Sequence, residues 1–410
     1  MKAIALSLLT LALLVAPLAG SGQAASSREY LVGFHDAAQA ADKASFLEQK
    51  RKLKKSMRRL PVVSAVLDEA EAAALRNDPR VAYVQENVWI QAIDPILGAE
   101  YNQSWGVTHI GGRTAHEAGK FGQEVRVAVL DTGIDYTHPD LMLRYAGGYD
   151  FVFDDADPMD DNTNSHGTHA AGIIAAELNG QGVVGVAPLA RIYGVKVLDG
   201  AGFGSLEWLV QGIDWAIANN MHIINLSLGF SSDFPAVRDA CDRAYAAGIL
   251  LVASSGNTNQ GEALYPAAYD SVIAANATDA GDQFGEFSSI DARIELAAPG
   301  TSIVSTARGN QYLSLTGTSQ AAPHVAGVAA LLIAAGIQDA NGNGRINDEV
   351  RLRLRHTARD LGAGGHDPYY GYGRIDAAAA LGLGVIPPGD GRKDKKDKKP
   401  KKVDLIKGRR

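Results

Sequence analysis

The sequence contains a single cysteine, Cys241, among its 410 residues. One cysteine cannot form an internal disulfide, so the protein depends on its hydrophobic core, with bound ions as a second means of stabilisation. Long apolar runs are lacking as well, and the longest, near the N-terminus, falls short of the roughly 20 residues that span a membrane. We therefore expect no membrane span. The length and the 46% hydrophobic content still suffice for one large domain or two to three ordinary ones.

An excess of positive charge is absent from most of the chain. Residues 391–410 contain eleven Lys/Arg and three Asp, a net charge of +8, so the total of −7 leaves −15 for residues 1–390. An acidic body of this kind argues against nucleic acid as a partner. The Lys-rich end has too few apolar groups to fold, and we predict a disordered tail over residues 385–410.

The first 25 residues have the layout of a secretory signal peptide. Lys2 precedes the apolar run IALSLLTLALLVAPLA, which is followed by the small residues of SGQAA. A run of this length between a basic start and small residues is typical of a segment removed during export. We expect cleavage near Ala24 or Ala25 and a secreted, extracellular protein.

Residues 26–97 are predicted to form a small α+β unit. The strand pattern EYLVGF opens it, and the helical stretch EAEAAALRND and the strand pattern RVAYVQENV close it. Between them lies KRKLKKSMRR, residues 50–59. We interpret this charge run as a solvated loop or a processing site and not as a nucleic-acid patch.

Residues 98–384 alternate between short apolar runs and longer helical patterns. The runs VRVAVLD, RIYGVKVL, HIINLSL, ILLVASSG and SVIAANAT are continuous, which is typical of strands buried in a parallel sheet. Helical patterns such as SLEWLVQGIDWAIANN separate them, so the unit repeats βαβ. The predicted fold class is α/β, a doubly wound, mostly parallel sheet with helices on both faces. Ligands of such sheets bind at the carboxyl ends of the strands.

Three residues with complementary chemistry lie at predicted strand ends or helix starts. Asp131 closes the run VRVAVLD, His166 begins the pattern HGTHAAG, and Ser319 begins the pattern SQAAPHVAGVAALLIAAG. A serine hydroxyl becomes a nucleophile when a base removes its proton, and a histidine base needs a carboxylate to hold its tautomer. Taken singly, each residue is better explained by a structural role, as a turn cap, a loop histidine and a helix N-cap respectively. Their joint occurrence favours nucleophilic catalysis.

The motifs around these residues resemble those of one protease family. DTGIDYTHPDL, NSHGTHAAGIIAA, INLSLG, SSGN and GTSQAAPHVAG, in that order, are similar to the motif set of subtilisin-like serine proteases, including the order Asp, His, Ser. The resemblance covers roughly residues 102–380. It implies that Asp131 orients His166, that His166 is the general base and then the acid, and that Ser319 attacks the peptide carbonyl. His169 matches the family's second histidine, for which we expect a structural role.

The same resemblance places the rest of the site. Asn257 matches the side chain that donates to the oxyanion, together with the backbone N–H of Ser319. The resemblance implies that the walls of the pocket for the side chain before the scissile bond are formed by Ser227, Leu228, Gly229, Ser254, Ser255 and Gly256. An extended peptide is expected to pair as an added strand beside Gly202 and Gly204. Leu264 falls where many relatives have a smaller residue at the pocket base. We expect medium apolar or aromatic side chains before the scissile bond, and the larger Leu264 leaves this preference open.

Calcium is the cofactor that the resemblance implies. The side chains that match the family's tight calcium site are Gln103, Asp140 and Asn179, and their oxygen atoms suit a hard cation. The acidic run DDADPMDD, residues 154–161, is interpreted as a solvated loop, with a further calcium site as the alternative.

A separate pattern, DANGNGRINDEV, is similar to an EF-hand loop. It has Asp339, Asn341 and Asn343 at the first, third and fifth positions. The loop ends in Val350 instead of a bidentate glutamate, and Glu349 stands one position early. The pattern is therefore either a weak calcium site or a polar insertion.

The resemblance also implies that the precursor matures itself. The stretch VVSAVLDEAEAAALRNDPRVAYVQENV is similar to the family's inhibitory propeptide. Residues 26–97 are then expected to inhibit residues 98–384 until the chain is cut between about Ala92 and Asn102. The expected partners are protein or peptide substrates and the propeptide, and the enzyme is expected to be a monomer.

Two other classes of protein share part of this pattern. A dinucleotide-binding oxidoreductase also has a strand followed by a glycine-rich turn and a helix, as in RIYGVKVLDGAGFGS. However, Gly200, Gly202 and Gly204 are not spaced as GxGxxG, and no signal peptide is expected on such an enzyme. A secreted binding protein on an inactive protease fold is the other alternative. The presence of all four predicted catalytic residues argues against it.

Overall fold

A computed structural model describes residues 27–49, 52–57, 59–87 and 98–383. The predicted signal peptide, the Lys-rich tail and Ala92 at the start of the predicted cleavage stretch lie outside the described residues. The chain divides into two compact units, Met1–Asp94 and Pro95–Arg410. Within the described ranges, no helix combines the length and the apolar character that crossing a membrane requires.

The first unit is built around a four-stranded antiparallel sheet. Its elements are β1 (Arg28–Phe34), α1 (Ala37–Gln49), β2 (Leu53–Ser56), β3 (Val62–Leu67), α2 (Glu69–Arg76) and β4 (Val81–Glu86). The strands lie in the order β2-β3-β1-β4, and each neighbouring pair is antiparallel. Val32 of β1 shares one core with Leu47 of α1 and Leu75 of α2. The predicted α+β character of this unit is confirmed.

The basic stretch of the first unit is not a loop along its whole length. Leu53–Ser56 forms β2 at the edge of the sheet, where it pairs with β3. Lys54 and Lys55 of this strand are exposed. Lysine on an edge strand discourages pairing with other chains. The positive charge that predicted a loop is therefore equally compatible with an edge strand.

A seven-stranded parallel sheet forms the centre of the second unit. Its strands are β5 (Arg126–Asp131), β6 (Tyr145–Asp150), β7 (Arg191–Lys196), β8 (Ile223–Leu226), β9 (Leu250–Ser254), β10 (Val272–Thr278) and β11 (Leu296–Pro299). They lie in the order β11-β10-β9-β8-β5-β7-β6, and all neighbouring pairs are parallel. The five predicted apolar runs form β5, β7, β8, β9 and β10, which confirms the α/β class.

The sequence pattern did not predict β6 and β11. The first reads YAGGYD and is interrupted by two glycines, and the second, LAAP, has only four residues. Neither has the run of large apolar side chains that indicates a buried strand. Two further strands, β12 (Ile303–Ala307) and β13 (Gln311–Leu315), form a separate antiparallel hairpin.

Helices cover both faces of the parallel sheet. They are α3 (Ala99–Gln103), α4 (Trp105–His109), α5 (Gly112–Glu117), α6 (His166–Ala175), α7 (Leu206–Ala218), α8 (Pro235–Ala246), α9 (Thr318–Ala334), α10 (Asn347–Thr357) and α11 (Ala377–Ala380). Val127 and Val129 of β5 share a core with α6 and α9. Ala128 and Leu130 share a second core with α7 and α8. Because alternate side chains of a strand point to opposite faces, the doubly wound arrangement is confirmed.

The chain changes direction across the sheet between β5 and β8. From β5 it continues to β6 and β7 on one side, whereas from β8 it continues to β9, β10 and β11 on the other. Where the connections of adjacent strands diverge in this way, a crevice opens at their carboxyl ends, and ligands bind there. Asp131 ends β5 and Ser227 follows β8, so the fold places both residues at this edge.

Candidate active site

Asp131 and His166 form a hydrogen-bonded pair at the carboxyl edge of the sheet. His166 begins α6, and its Nδ1 lies 2.7 Å from Oδ1 of Asp131. The backbone N–H of Thr132 donates to the same oxygen at 2.7 Å. The Asp131 side chain is fully buried, whereas the His166 side chain is 26% exposed. Since Nδ1 donates to the carboxylate, the neutral imidazole keeps Nε2 as an acceptor.

Burial and the Asp131 carboxylate act in opposite directions on the pKa of His166. Burial lowers it, because an apolar environment disfavours the charged imidazolium. The charge of Asp131, its hydrogen bond and the charge of Asp160 outweigh burial, so the pKa of His166 lies above its ordinary value of 6.5. The imidazole is therefore neutral in alkaline solution and protonated in mild acid.

The start of α6 lies very close to the turn after β5. The N–H of Gly167 donates to Oγ1 of Thr132 at 3.0 Å. A Cβ atom on Gly167 would lie only 2.2 Å from the carbonyl oxygen of Gly133. Glycine alone permits this approach, so the motif HGTHAAG needs a glycine after the histidine to keep His166 beside Asp131.

Asp160 connects the turn after β5 to the first turn of α6. In the sequence it belongs to the acidic run interpreted as a solvated loop. It is fully buried and accepts hydrogen bonds from the hydroxyls of Thr132 and Thr168 at 3.0 and 2.6 Å. The N–H groups of Asn162 and Thr168 donate to it as well. Burial raises the pKa of Asp160 against the effect of these bonds. The prediction of a solvated loop is wrong for Asp160, whose hydrogen bonds offset the cost of burying a carboxylate.

Lys196 is a second buried charge that the sequence pattern did not single out. Its Nζ donates to the carbonyl oxygens of Thr132 and Leu198, each at 2.8 Å, and to Oδ1 of Asp161 at 2.7 Å. These partners satisfy all three donors of an ammonium group that is 0% exposed. Because Lys196 ends β7 and Thr132 follows β5, the ammonium joins two strand ends beside Asp131. No sequence signal marks this lysine, since VKVL resembles any buried strand.

Ser319 is the one residue among 318–332 of α9 that is not buried. Its Oγ donates to the carbonyl oxygen of Ser227 at 3.3 Å, and the Ser227 hydroxyl donates to the carbonyl oxygen of Ser319 at 2.9 Å. Pro323 makes that carbonyl available, because proline has no N–H for the residue four positions earlier. Among the residues described, no hydrogen bond joins Ser319 to His166.

Asn257 lies beside the N-terminus of α9. Its Oδ1 accepts hydrogen bonds from the backbone N–H and the hydroxyl of Thr318, each at 3.0 Å. These bonds fix the amide plane, and Nδ2 has no acceptor among residues 98–383. The N–H of Ser319, in the first turn of the helix, has no intrahelical acceptor either. One side-chain donor, Nδ2 of Asn257, and one backbone donor, the N–H of Ser319, are therefore free at the start of α9.

A cavity of about 390 Å³ adjoins His166. Five of the residues predicted to bind substrate line it, namely Gly202, Gly204, Ser227, Leu228 and Gly229. Ser254 ends β9, and Ser255 and Gly256 follow it without lining this cavity. Gly256 is instead held at α9, because its N–H donates to Oγ1 of Thr318 at 3.2 Å. Ser227, which is bonded to Ser319, and His166 thus share one crevice.

Two of the three residues matched to the tight calcium site are in contact. Asp140 is fully buried, and its carboxylate accepts hydrogen bonds from Nδ2 of Asn179 at 2.9 Å and from the hydroxyl of Tyr312 at 2.8 Å. Gln103 is exposed and makes no hydrogen bond with either residue. The structure therefore brings Asp140 and Asn179 together and leaves Gln103 outside their hydrogen bonds.

Glu100 is a carboxylate at the same loop that the sequence pattern did not single out. It is buried, and its Oε1 accepts the N–H of Gly180, next to Asn179, at 3.0 Å. Its Oε2 is buried without a hydrogen-bond partner. Burying a carboxylate oxygen without a partner raises the free energy of the folded state. A positively charged group bound at this loop would lower that cost.

The second predicted calcium loop is closed by its own hydrogen bonds. The carboxylate of Asp339 accepts from the N–H groups of Gly342, Asn343 and Gly344. The side-chain amides of Asn341 and Asn343 donate to Oδ2 of Asp348 at 3.3 and 2.7 Å. Within the described part of the chain, no group of three or more His, Cys, Asp or Glu side chains is placed to hold a metal ion.

His169 lies in α6 but makes its contacts away from the crevice. Its Nε2 lies 3.0 Å from the carbonyl oxygens of both Ile303 and Leu313, so it connects α6 to both strands of the hairpin. Burial lowers the pKa of His169 to about 4, which keeps the ring neutral. These contacts are those of a residue that holds the fold together.

The chemistry available in this crevice is that of nucleophilic attack by an activated hydroxyl. A buried carboxylate holds an imidazole that lines the crevice, and the partly exposed Ser319 hydroxyl is hydrogen-bonded to Ser227 of the same crevice. The fold and the site together define the class of serine hydrolases. Residues 122–373 match the family model described as the subtilase family, and the chain belongs to that family.

Relatives extend the match over most of the chain. Subtilisin NAT of Bacillus subtilis subsp. natto is 40% identical over 370 residues, which cover 88% of this chain and 92% of the relative. The thermostable alkaline protease of Halalkalibacterium halodurans is 44% identical over 321 residues, 78% of this chain and 83% of the relative. The alkaline protease of Shouchella clausii is 38% identical over 368 residues, 87% and 92% of the two chains. The protein is a serine endopeptidase whose substrates are proteins or peptides.

Proposed function

We propose that this endopeptidase acts through four residues, Asp131, His166, Ser319 and Asn257. The observation that carries the proposal is the 2.7 Å hydrogen bond between Asp131 and Nδ1 of His166. It leaves Nε2 as the atom that accepts the proton of Ser319. The hydroxyl now contacts the Ser227 carbonyl at 3.3 Å, longer than the roughly 2.7–2.8 Å of a good O–H···O bond. Because this bond is long, rotating the Ser319 hydroxyl toward the imidazole costs little hydrogen-bond energy.

In the proposed reaction, His166 removes the Ser319 proton as Oγ attacks the peptide carbonyl. The imidazolium that forms is paired with Asp131 and donates its proton to the departing amine. This leaves an acyl group on Ser319. His166 then removes a proton from water as the water attacks the acyl group, and it returns that proton to Oγ of Ser319. This releases the carboxylic acid and restores the enzyme.

Asn257→Ala is expected to lower kcat by about 10²–10³-fold with little change in KM, the size of effect known for the corresponding donor in subtilisin. The Asn257 amide is oriented by Thr318. Its Nδ2 can therefore donate to a fully negative oxygen only once the tetrahedral intermediate has formed. Steady-state kinetics on a peptide p-nitroanilide measure the effect. Asn219→Ala, at the exposed end of α7, is the control and should leave kcat unchanged. An unchanged kcat in Asn257→Ala would remove this residue from the mechanism.

We also infer that the protein is exported and matures by cutting itself. Residues 1–25 have the layout of a signal peptide, and an α+β unit precedes the peptidase unit. The alignment with the first relative spans 370 residues, so it extends well beyond residues 122–373. On this basis we propose a propeptide at 26–97, a peptidase at 98–384 and a tail at 385–410.

We propose that calcium stabilises the loop that carries Asp140 and Asn179. The donor chemistry fits a hard cation, since Asp140 and the Asn179 amide supply oxygen atoms. Neither Asp140 nor Glu100 has an ion-pair partner among the described residues, and Oε2 of Glu100 is buried and unpaired. Asp140 and Asn179 would hold the ion, and its positive charge would offset the charge of these two buried carboxylates, Asp140 and Glu100.

Removing calcium with EDTA is expected to lower the Tm by roughly 6–10 °C, because a nearly saturated site contributes about 3–4 kcal/mol. The measurement is best made by calorimetry on Ser319→Ala, which does not digest itself. Asp140→Asn should abolish the response to EDTA, whereas the matched variant Asp339→Asn should retain it. The reverse pattern would assign the ion to the Asp339 loop, and a Tm indifferent to EDTA would exclude structural calcium.

A further inference from the structure

Two glycine-containing segments flank the Ser319 hydroxyl. Gly229 follows Ser227, whose carbonyl oxygen accepts that hydroxyl at 3.3 Å. Gly256 precedes Asn257 and is in the left-handed region, with φ of 111°. The segments therefore form two walls next to the reacting atoms. Under the proposed function, the residue whose carbonyl is attacked by Ser319 lies next to both walls, and its side chain is directed into the space between them.

The Leu264 side chain occupies that space. A Cβ atom on Gly229 would lie 3.0 Å from Cβ of Leu264 and 3.1 Å from its Cδ1. A Cβ atom on Gly256 would lie 2.7 Å from Cγ and 2.9 Å from Cδ1 of the same leucine. One side chain thus contacts both walls. The room that two glycines leave is already taken by part of the protein itself.

The backbone of Leu264 is bonded to both walls, so the side chain cannot move out as a unit. Its N–H donates to the carbonyl oxygen of Ser255 at 2.7 Å, beside Gly256. The next residue, Tyr265, exchanges two backbone hydrogen bonds with Phe230, beside Gly229, at 2.8 and 2.9 Å. With the backbone held at both sides, Cβ keeps its place, and the side chain can leave the space between the walls only by rotation about its own χ1 and χ2 bonds.

The open volume of the crevice lies elsewhere. The cavity of about 390 Å³ is lined by Ser227, Leu228 and Gly229 together with residues of the 197–209 segment. Neither Gly256 nor Leu264 belongs to its lining. Large substrate side chains therefore have room along this cavity and little room between Gly229 and Gly256.

We propose that Leu264 sets the substrate class by closing the pocket that receives the side chain before the scissile bond. The enzyme then cuts after glycine, alanine and serine and discriminates against leucine and aromatic residues at that position. This inference rests on the proposed function, since it takes Ser319 as the nucleophile. It replaces the expectation of medium apolar or aromatic side chains that the family resemblance leaves open.

The test compares wild type, Leu264→Gly and Leu264→Ala on tetrapeptide p-nitroanilides that are identical except for a final Ala, Leu or Phe. A single misplaced methylene in such a pocket costs about 10- to 200-fold, so wild-type kcat/KM should be at least 10-fold lower for Phe than for Ala. Leu264→Gly should raise the value for Phe at least 10-fold while changing that for Ala by less than about 3-fold. Leu264→Ala should fall between the two enzymes.

Leu189→Gly is the control, because it makes the same substitution at an exposed leucine that does not line the crevice. It should retain the wild-type preference, and the Tm of each variant shows whether it is folded. The cleavage sites that wild type makes in casein, identified by mass spectrometry, examine the same preference without any variant. They should follow small residues.

Several results would overturn the inference and leave the endopeptidase standing. Wild type could cut equally well after Phe and Ala, or folded Leu264→Gly and Leu264→Ala could gain nothing on the Phe substrate. Failure of wild type to cut both casein and the p-nitroanilides has a different meaning. In that case the proposed catalytic residues fail, and the inference about Leu264 fails with them.

Discussion

Ser319→Ala is expected to lower proteolytic activity by about 10⁶-fold, the size known for loss of the nucleophile in subtilisin. Ser319 is the one residue among 318–332 that is not buried, so the buried hydroxyl of Thr318 beside it cannot take its place. The precursor should also remain uncut. Casein hydrolysis and the intact mass of the purified secreted protein, measured beside wild type, test both expectations. Wild type should be shortened near residues 92–102.

Ser314→Ala is the control for this experiment. Ser314 is an exposed serine in β13, a few residues before the helix, and its replacement should change neither the activity nor the position at which the precursor is cut. If wild type and Ser319→Ala are processed alike and neither hydrolyses casein, the catalytic assignment is wrong. An inactive binding fold that another enzyme cleaves then becomes the better account of this chain.

Asp131→Asn is expected to lower kcat by about 10⁴-fold while leaving the fold intact, as removal of the carboxylate does in other triads. An asparagine can present its NH₂ group to Nδ1 of His166, and the ring then carries its proton on the wrong nitrogen. Asp150→Asn is the matched control, because Asp150 also ends a parallel strand and is buried but does not contact His166. A similar loss in both variants would point to damaged strands and not to a role in catalysis.

The pH dependence of kcat/KM provides a second readout for Asp131. Burial lowers the pKa of His166, but the charge and hydrogen bond of Asp131 raise it above 6.5. Because the base must be neutral, wild-type activity should fall on the acid side at a pH above 6.5. In Asp131→Asn the charge is gone, so the residual activity should extend to lower pH. An acid limb that does not move would contradict the proposed coupling.

The peptidase fold and the predicted catalytic residues were accessible from the sequence for two reasons. Parallel strands buried on both faces need unbroken apolar runs, and five such runs were visible. Asp131 ends such a run, whereas His166 and Ser319 lie at the starts of helical patterns, and the resemblance to the family's contiguous motifs singles out all three. Strands that lack the run, such as β6 with its two glycines, gave no signal.

Residues that act through distant contacts could not be predicted in this way. The burial of Asp160 is explained by the hydrogen bonds that Thr132 and Thr168, from two other elements, donate to its carboxylate. Lys196 lies in a strand pattern that any apolar residue would satisfy, and only Thr132, Leu198 and Asp161 explain a buried ammonium there. Neither residue belongs to a spacing that can be recognised along the chain.

The sequence by itself determined the class of fold, five of the seven strands of the parallel sheet and the motifs from which the catalytic residues are predicted. These follow from local periodicity and from motifs that are contiguous in the chain. Only the tertiary structure decided that the Ser227 hydroxyl donates to the Ser319 carbonyl oxygen, which Pro323 leaves without a helical donor. It also decided that Leu264 lies between Gly229 and Gly256. The reason is physical, because the size of a pocket is set by side chains that meet across space from separate loops.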